Sequence, residues 1–230
     1  MNSSIENRIL FEDNHLIVVN KLASEITQGD KTGDETLPDK IKAFIKEKYQ
    51  KPGNVFCGVV HRLDRPTSGV VVFAKTSKAL DRLNKQFREK ETDKKYWAIV
   101  QKKSTIEKGT LVDYLKKNEA QNKSYVVNEK TTGAKKAILH YSLLHSSERY
   151  HLLEIKLETG RHHQIRCQLA NIGCIIKGDL KYGASRSNAD GSISLHARAL
   201  TLSHPISKER LCFEAPLPDS DIWVHFQQLI

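Results

Sequence analysis

The alternation of apolar and polar positions predicts more strands than helices along this chain. Residues 9–11 and 16–19 are apolar runs separated by a polar turn, which is typical of a β-hairpin. An uninterrupted apolar run over residues 70–74 predicts a buried strand. The same reasoning predicts further strands at 96–100, 109–115, 137–144, 150–157, 199–203 and 211–214.

Helical spacing of apolar residues occurs in three segments. The first follows Thr36, a plausible cap, and runs from Leu37 to a Lys-Pro-Gly stop at 51–53. The second begins near Ser77, and a short third helix covers 164–171. Strands outnumber helices and do not alternate regularly with them, which predicts the α+β class.

The length and composition indicate one globular domain. No long linker rich in Pro, Ser or Gly divides the 230 residues, so we expect a single catalytic domain over 1–230. No apolar run approaches the roughly 20 residues of a membrane span. The first 14 residues lack the apolar core of a signal peptide, and the four cysteines form no CxxC pair. These features predict a cytoplasmic protein with reduced thiols.

The charge is strongly positive, with 37 Lys and Arg against 27 Asp and Glu, a net charge of +10. Such a chain attracts polyanions, and nucleic acid is the commonest polyanion in the cytosol. Residues 75–104 form a basic run that is either a solvated helix face or a phosphate-binding surface. Its cations are Lys75, Lys78, Arg82, Lys85, Arg88, Lys90, Lys94, Lys95, Lys102 and Lys103.

The segment His61–Gly69 is the first candidate for chemistry. It places Asp64 between Arg62 and Arg65, which favour the ionised carboxylate, just before the strand that begins at Val70. An ionised, positioned carboxylate can act as nucleophile, base or metal ligand, whereas the structural alternative is an Asp–Arg pair that stabilises the loop. The extra Leu63 breaks the His-Arg-Asp pattern of protein kinases, and no glycine-rich loop precedes it.

The second candidate is the segment Glu158–Arg166. Two arginines, two histidines and a glutamine at a helix start would suit an anion. Adjacent His162 and His163 lack the spacing of a metal-binding pair, and Cys57 with His61 has no partner pair at zinc-finger spacing. We therefore expect no metal.

These segments, in this order, resemble the RluA family of pseudouridine synthases. The family's His-Arg-Leu-Asp-x-x-Thr-Ser-Gly motif matches His61–Gly69 without gaps, and its Thr-Gly-Arg-x-His-Gln-Ile-Arg motif matches Thr159–Arg166. Lys94-Lys95-Tyr96, Gly178–Gly183 and Leu195-His196-Ala197 match three further elements. The resemblance covers nearly the whole chain.

One motif departs from the family pattern. The usual Asn-Lys-Pro-Ala-Gly reads Asn20-Lys21-Leu22-Ala23-Ser24 here, which changes the backbone restrictions of that turn. The first motif also begins by Ile9, so we expect no separate N-terminal RNA-binding domain. The resemblance implies the pseudouridine synthase fold, a bent, mostly antiparallel mixed sheet with flanking helices and a central catalytic cleft.

The resemblance also implies the site. Asp64 would be the catalytic aspartate, and the sequence leaves open whether it attacks the sugar or the base. Tyr96 would stack on the uracil or move a proton, and Arg166 would pair with Asp64 and orient it. Tyr96 could equally be a half-buried strand residue.

Three further residues would bind the RNA. Arg62 would help to extrude the target nucleotide, because a stacked base hides the reacting atoms. Leu195 would form the floor under the uracil, although any core leucine would look the same. Arg161, like the basic run, suits phosphate contacts.

The sequence thus predicts an RNA pseudouridine synthase acting on ribosomal RNA, transfer RNA or both, as a monomer and without a cofactor, since the reaction is an isomerisation. Two alternatives stay open. One is a noncatalytic RNA-binding module, and the other is an N-glycosylase that uses the same carboxylate.

Overall fold

The computed structural model describes residues 4–29, 33–101 and 107–229, and the chain divides into two compact units. Unit 1 comprises Met1–Asp93 and Ala197–Pro216, and unit 2 comprises Lys94–His196 and Leu217–Ile230. That residues 1–230 act as one catalytic domain stays a prediction.

Strands predominate over helices, which confirms the predicted α+β class. In chain order the elements are β1 (Ile9–Glu12), β2 (Leu16–Lys21), α1 (Leu37–Lys48), β3 (Gly58–Val59), β4 (Ser68–Ala74), α2 (Ser77–Glu89), β5 (Asp93–Val100), β6 (Lys108–Asn118), β7 (Lys123–Val127), β8 (Lys135–Ser146), β9 (His151–Leu157), α3 (Gln164–Asn171), β10 (Leu195–Ser203), β11 (Arg210–Glu214) and α4 (Asp221–Gln227). Short 3-10 helices cover Glu6–Arg8 and Leu180–Tyr182.

The sheet of unit 1 has the order β1-β2-β4-β10, with β11 paired to β10 and β3 paired to β4. Strand β4 lies inside this sheet and is buried along its whole length, as its apolar run predicts. Helix α2 packs Ala79 and Leu83 into a core that includes Val18, Val72 and Leu202. This core supports the segment that leads into β4.

The sheet of unit 2 is antiparallel and has the order β5-β9-β8-β6-β7. Helix α3 covers one face, where Cys167 packs with Leu115 and Ala137. Helix α4 covers one end of the other face, where Trp223 and Phe226 pack on residues of β5 and β9. The sheet therefore has one covered face and one partly open face.

Most predicted elements are confirmed, including the hairpin of β1 and β2 and the helix over 164–171. Thr36 caps α1 as expected, because its side chain accepts a hydrogen bond from the Asp39 amide. The sequence reading missed β3, β7 and α4. These are short elements whose apolar positions are too few to show a period.

Two further predictions concern the environment of the chain. Among the residues that the structure describes, no helix is both long and apolar enough to cross a membrane. Cys57, Cys167 and Cys174 are buried and Cys212 is exposed. That the thiols are reduced stays a prediction.

Candidate active site

The segment that carries Asp64 is a tight loop of unit 1 between β3 and β4. Asp64 is half-buried, and its carbonyl accepts a hydrogen bond from the Thr67 amide at 3.0 Å, which closes the turn around Arg65 and Pro66. Gly69 ends the loop with φ of +117°, and a Cβ there would lie 2.3 Å from the Ala197 carbonyl oxygen. A glycine is therefore required where the loop enters the sheet.

A buried lysine holds this loop in place. The Lys21 side chain, 0% exposed, donates from Nζ to the carbonyls of Leu22 (2.9 Å), Arg65 (3.1 Å) and Thr67 (2.6 Å). Burial lowers the pKa of Lys21 to about 7, and the negative charges of Glu25 and Asp64 oppose that shift. Lys21 thus binds the backbone on both sides of Pro66 and feels the charge of Asp64.

The side chains that flank Asp64 each have a partner in unit 1. Arg62 is exposed and donates to Gln28 Oε1 at 2.7 Å, and Arg65 forms an ion pair with Asp34 at 2.7 Å. His61 stacks on the Phe87 ring, 4.8 Å between centroids. That Arg62 and Arg65 keep Asp64 ionised stays a prediction.

The turn that departs from the family pattern keeps a glycine-like backbone. Ser24 has φ of +74°, the left-handed region, and its amide donates to the Arg65 carbonyl at 2.9 Å. The Leu22 amide donates to Glu25 Oε2 at 3.0 Å, a bond that a proline at this position could not make. Leu22 therefore adds a donor to the Glu25 carboxylate, whereas Ser24 adopts a conformation that glycine prefers.

The second predicted segment, Glu158–Arg166, leads from β9 into α3 in unit 2. Gln164 organises it: its Oε1 accepts from the Thr159 hydroxyl (2.8 Å) and the Arg161 amide (3.0 Å), while its Nε2 donates to the Ile138 carbonyl. His163 has φ of +52° immediately before the helix. The turn is thus tied to β8 by side-chain hydrogen bonds.

Arg166 lies in a buried network that sequence reasoning missed. Its guanidinium donates to both carboxylate oxygens of Asp179, at 2.7 and 2.8 Å, and these side chains are 5% and 1% exposed. Its NH1 is 3.1 Å from His163 Nε2, which must accept because a guanidinium only donates. The predicted anion-binding cluster is therefore occupied at Arg166 by the chain's own carboxylate.

The network continues from His163 to Tyr182. With Nε2 accepting, Nδ1 of His163 carries the proton and donates to the Tyr182 hydroxyl at 3.1 Å. That hydroxyl donates to the Ser124 carbonyl at 3.1 Å and accepts from the Ser124 amide at 2.9 Å. Burial, with the adjacent charge of Arg166, lowers the pKa of His163 to about 2, so the imidazole is neutral.

The other predicted residues of unit 2 differ in exposure. Tyr96 is buried in β5, where it pairs with Ile155 of β9, and Leu195 is 4% exposed at the start of β10. Arg161 is exposed and donates from Nε to the Lys136 carbonyl at 2.9 Å. The predicted pair between Asp64 and Arg166 would join unit 1 to unit 2, and it stays a prediction.

The predicted basic run over 75–104 is only partly a surface, and at Lys75 the prediction is wrong. The Lys75 side chain is 9% exposed, because its Nζ forms an ion pair with Glu12 at 2.7 Å and donates to the Asp13 carbonyl. Lys78, Lys85, Arg88 and Lys90 are exposed on or next to α2, whereas Lys95 belongs to unit 2. Lys102 and Lys103 lie outside the described residues.

The residues of these networks that the sequence analysis did not assign lie within motifs that it did identify. Asp179 and Tyr182 belong to the Gly178–Gly183 element, and Lys21 to the first motif. Only tertiary structure pairs them with Arg166, His163 and the Asp64 loop. Within the part of the chain that the structure describes, no group of three or more His, Cys, Asp or Glu is arranged to hold a metal ion.

Comparison with known proteins gives a consistent result. Residues 15–171 match a family model described as RNA pseudouridylate synthase. An uncharacterized RNA pseudouridine synthase of Bacillus subtilis (strain 168) is 36% identical over 215 residues, covering 91% of this chain and 68% of the relative. Ribosomal large subunit pseudouridine synthase D of Zymomonas mobilis is 33% identical over 232 residues, covering 96% of this chain and 72% of the relative.

A solved structure agrees with these matches. Human RNA pseudouridylate synthase domain containing 4 superimposes with a TM-score of 0.79 at 25% identity, covering 97% of this chain and 93% of that chain. The matched residues 15–171 include both the Asp64 loop and the turn that leads to Arg166.

Proposed function

This chain belongs to the RNA pseudouridylate synthase family, and from that premise we propose that it isomerises uridines of structured RNA with Asp64 as the catalytic carboxylate. Family membership makes the chain an RNA-modifying isomerase with the pseudouridine synthase fold, as its sequence predicted. The observation that carries the assignment of Asp64 is the ungapped segment His61–Gly69, which lies within the matched residues.

The proposed reaction breaks the bond between the ribose and the ring nitrogen of uracil and remakes it to a ring carbon. No atom is gained or lost, so no cofactor is required. An ionised carboxylate can attack the anomeric carbon, as in retaining glycosidases, or assist departure of the base. The loop around Asp64, fixed by Lys21 and Gly69, supports this role because a catalytic group must be held in position.

The remaining roles follow the family pattern. We propose that Tyr96 stacks on the uracil or moves a proton, that Leu195 packs under the ring, and that Arg166 orients Asp64. The bidentate bond to Asp179 supports a positioning role for Arg166, since it fixes the guanidinium plane. Arg62 is exposed, which suits a side chain that enters the space of a flipped nucleotide.

The RNA target is also a proposal. The Zymomonas mobilis relative is named for the large ribosomal subunit, which supports ribosomal RNA, and transfer RNA is the second target class to test. A loop uridine is the expected position, because an unpaired base costs less to unstack. We propose that the protein acts in the cytoplasm as a monomer, with Arg161 and the exposed cations of α2 contacting phosphates.

The decisive experiment compares the wild type with Asp64→Asn on ribosomal and transfer RNA from cells that lack the gene. Asp64→Asn should bind RNA with unchanged affinity and form no pseudouridine in a carbodiimide or tritium-release assay. Asp81→Asn is the matched control, since Asp81 is exposed on α2, and it should remain active. Activity retained by Asp64→Asn would overturn the assignment.

The same assay separates the two alternative functions. A wild-type protein that binds RNA but modifies none of it would indicate a noncatalytic RNA-binding module. Release of free uracil, detected by mass spectrometry, would indicate an N-glycosylase. Pseudouridine mapping with and without the gene identifies the modified position.

A further inference from the structure

The open face of the unit 2 sheet carries five lysines, of which only Lys95 belongs to a segment that the sequence analysis singled out. In a strand, alternate residues point to opposite faces. Leu115, Ala137 and Tyr96 point to the same side as α3, so their neighbours point outward. The charged residues at the outward positions of β5, β6, β8 and β9 within unit 2 are Lys95, Lys108, Lys116, Lys136, Lys156 and the single acid Glu154.

We propose that this lysine face, defined by Lys95, Lys108, Lys116, Lys136 and Lys156, is a second RNA-binding surface that holds RNA outside the modified nucleotide. The proposal rests on the proposed function for its biological setting, but it concerns the sheet face opposite Tyr96. A strand of RNA is the occupant that the charge and the aromatic side chains favour.

The register of the strands aligns the polar side chains in rows. Lys95, Lys156, His140 and Thr110 form one row across β5, β9, β8 and β6. Neighbouring strands lie about 4.8 Å apart, so this row spans roughly 14 Å. In the next row, Ser142 and Lys108 stand beside Glu154.

Between these rows the surface forms an open depression of about 460 Å³. Its lining includes Lys108, Thr110, His140, Ser142 and Lys156. The hydroxyl of Thr110 and the ring of His140 are 2.8 Å apart, which holds both at the floor. Ammonium and hydroxyl groups along such a row are the groups that contact phosphate and sugar oxygens.

Glu154 does not cancel the positive charge. Its carboxylate is 3.2 Å from Lys95 Nζ and 3.9 Å from Lys156 Nζ, so one acid is shared by two lysines. The Lys95 and Lys156 side chains remain 41% and 65% exposed. Lys108, Lys116 and Lys136 are exposed as well. A further acid, Glu158 just beyond β9, lies 2.6 Å from His140 Nε2, but the five lysines keep the face in excess of positive charge.

Aromatic and apolar side chains separate the lysines at the β7 end of the sheet. Lys136 pairs across the strands with Tyr114, and Lys116 pairs with Tyr125, which is 40% exposed. Hydrogen bonds from the tyrosine hydroxyls to Glu129 and Gln121 fix the two rings. Lysines alternating with fixed aromatic rings are typical of surfaces that stack unpaired bases.

The test uses the full chain and a labelled oligouridylate of about 20 nucleotides, longer than the site sizes of such surfaces. The triple variant Lys116→Gln, Lys136→Gln and Lys156→Gln should raise Kd about tenfold or more. The slope of the logarithm of the association constant against the logarithm of the salt concentration should become less negative by about 2, because three phosphate contacts are lost. The matched control, Lys42→Gln, Lys46→Gln and Lys51→Gln, removes the same charge from unit 1.

A pair of tyrosine variants tests the stacking contribution. Tyr125→Ala should raise Kd about fivefold or more, whereas Tyr125→Phe, which keeps the ring and loses only its hydrogen bond to Gln121, should raise Kd by less than about twofold. Equal binding by the lysine triple variant and its control, with equal salt slopes, would overturn the proposal. So would equal binding by both tyrosine variants.

The outcome is independent of the proposed function, because oligouridylate binding needs no turnover. If the wild type forms no pseudouridine while the lysine triple variant loses affinity, the RNA surface stands and the proposed reaction fails. If the wild type is active and the triple variant binds like its control, the reaction stands and the surface fails.

Discussion

The Asp64 loop and the turn that carries Arg166 are each held by a buried cation, but the groups that accept its hydrogen bonds differ. In unit 1, Lys21 fixes the Asp64 loop by donating to three backbone carbonyls. In unit 2, Arg166 is fixed by a bidentate ion pair with Asp179 and by His163. Both cations are buried, at 0% and 5% exposure, but only Arg166 has a carboxylate directly bonded to its charge.

This difference determines how the stability of each unit should depend on pH and on the loss of a charged partner. A guanidinium stays protonated at every accessible pH, so Arg166 requires its compensating carboxylate. An amine can lose its proton when burial makes the charge costly, and the pKa of Lys21 at about 7 reflects that. The unit 2 network should therefore be sensitive to loss of a partner, whereas the unit 1 loop should be sensitive to pH.

The largest effect is expected from Asp179→Asn. The substitution removes the negative charge that accepts two hydrogen bonds from the buried Arg166 guanidinium, which lowers the free energy of unfolding by about 3–5 kcal/mol. Tryptophan fluorescence during urea unfolding measures it, because both tryptophans of the chain, Trp97 and Trp223, are buried in unit 2.

Two variants control this experiment. Asp219→Asn removes an exposed carboxylate of the same unit and should leave the transition unchanged. The double variant Asp179→Asn with Arg166→Gln should lose less stability than the two single changes together, since it removes both charges of the buried pair. An unshifted midpoint in Asp179→Asn would mean that other groups compensate Arg166.

An intermediate effect, dependent on pH, is expected at Lys21. Its folded pKa of about 7 lies below the unfolded value of 10.5, so between these values the unfolded chain binds more protons. The free energy of unfolding should therefore rise with pH above 7, by about 2 kcal/mol up to pH 9. Lys21→Met should lose this increase, as followed by circular dichroism during urea unfolding.

The slope of the free energy of unfolding against pH is compared between the wild type and Lys21→Met. All other titrating groups are common to both proteins, so the difference between the slopes is due to Lys21. The control is Lys46→Met, an exposed lysine of α1 in the same unit, and it should keep the wild-type slope. Equal slopes in the wild type and Lys21→Met between pH 7 and 9 would show that Lys21 stays charged throughout this range.

The sequence predicts where the two segments and their supporting elements lie, but not which residues hold them in place. The two motif segments, the buried β4 and the helix that carries Arg166 follow from apolar periodicity and motif order. The partners do not, because Lys21 meets Thr67 across 46 residues and Arg166 meets Asp179 across 13. Such contacts depend on tertiary packing, which no local pattern encodes.

At Lys75, the lack of tertiary information leads to a wrong prediction of exposure. A run of cations reads as a surface, yet Lys75 is buried against Glu12, which is 63 residues away in the sequence. The lysine face of unit 2 was overlooked for a related reason. Its members are spread over four strands, and only the strand register brings them together.

The smallest effect is expected at the turn that departs from the family pattern. Ser24 has φ of +74°, a conformation that is unfavourable for residues with a Cβ. Ser24→Gly should relieve this strain while losing some stability to the greater freedom of glycine in the unfolded chain. The net gain should be about 0.5 kcal/mol in the free energy of unfolding of unit 1.

Ser24→Ala is the matched control, because alanine keeps the Cβ and should give no gain. Hydrogen exchange of the unit 1 amides measures the change, since no tryptophan reports on this unit. The Ser24 amide itself donates to the Arg65 carbonyl, so its protection should increase in the glycine variant. Equal protection in the glycine and alanine variants would mean that the loop around Asp64 tolerates the left-handed backbone of Ser24 without a cost in stability.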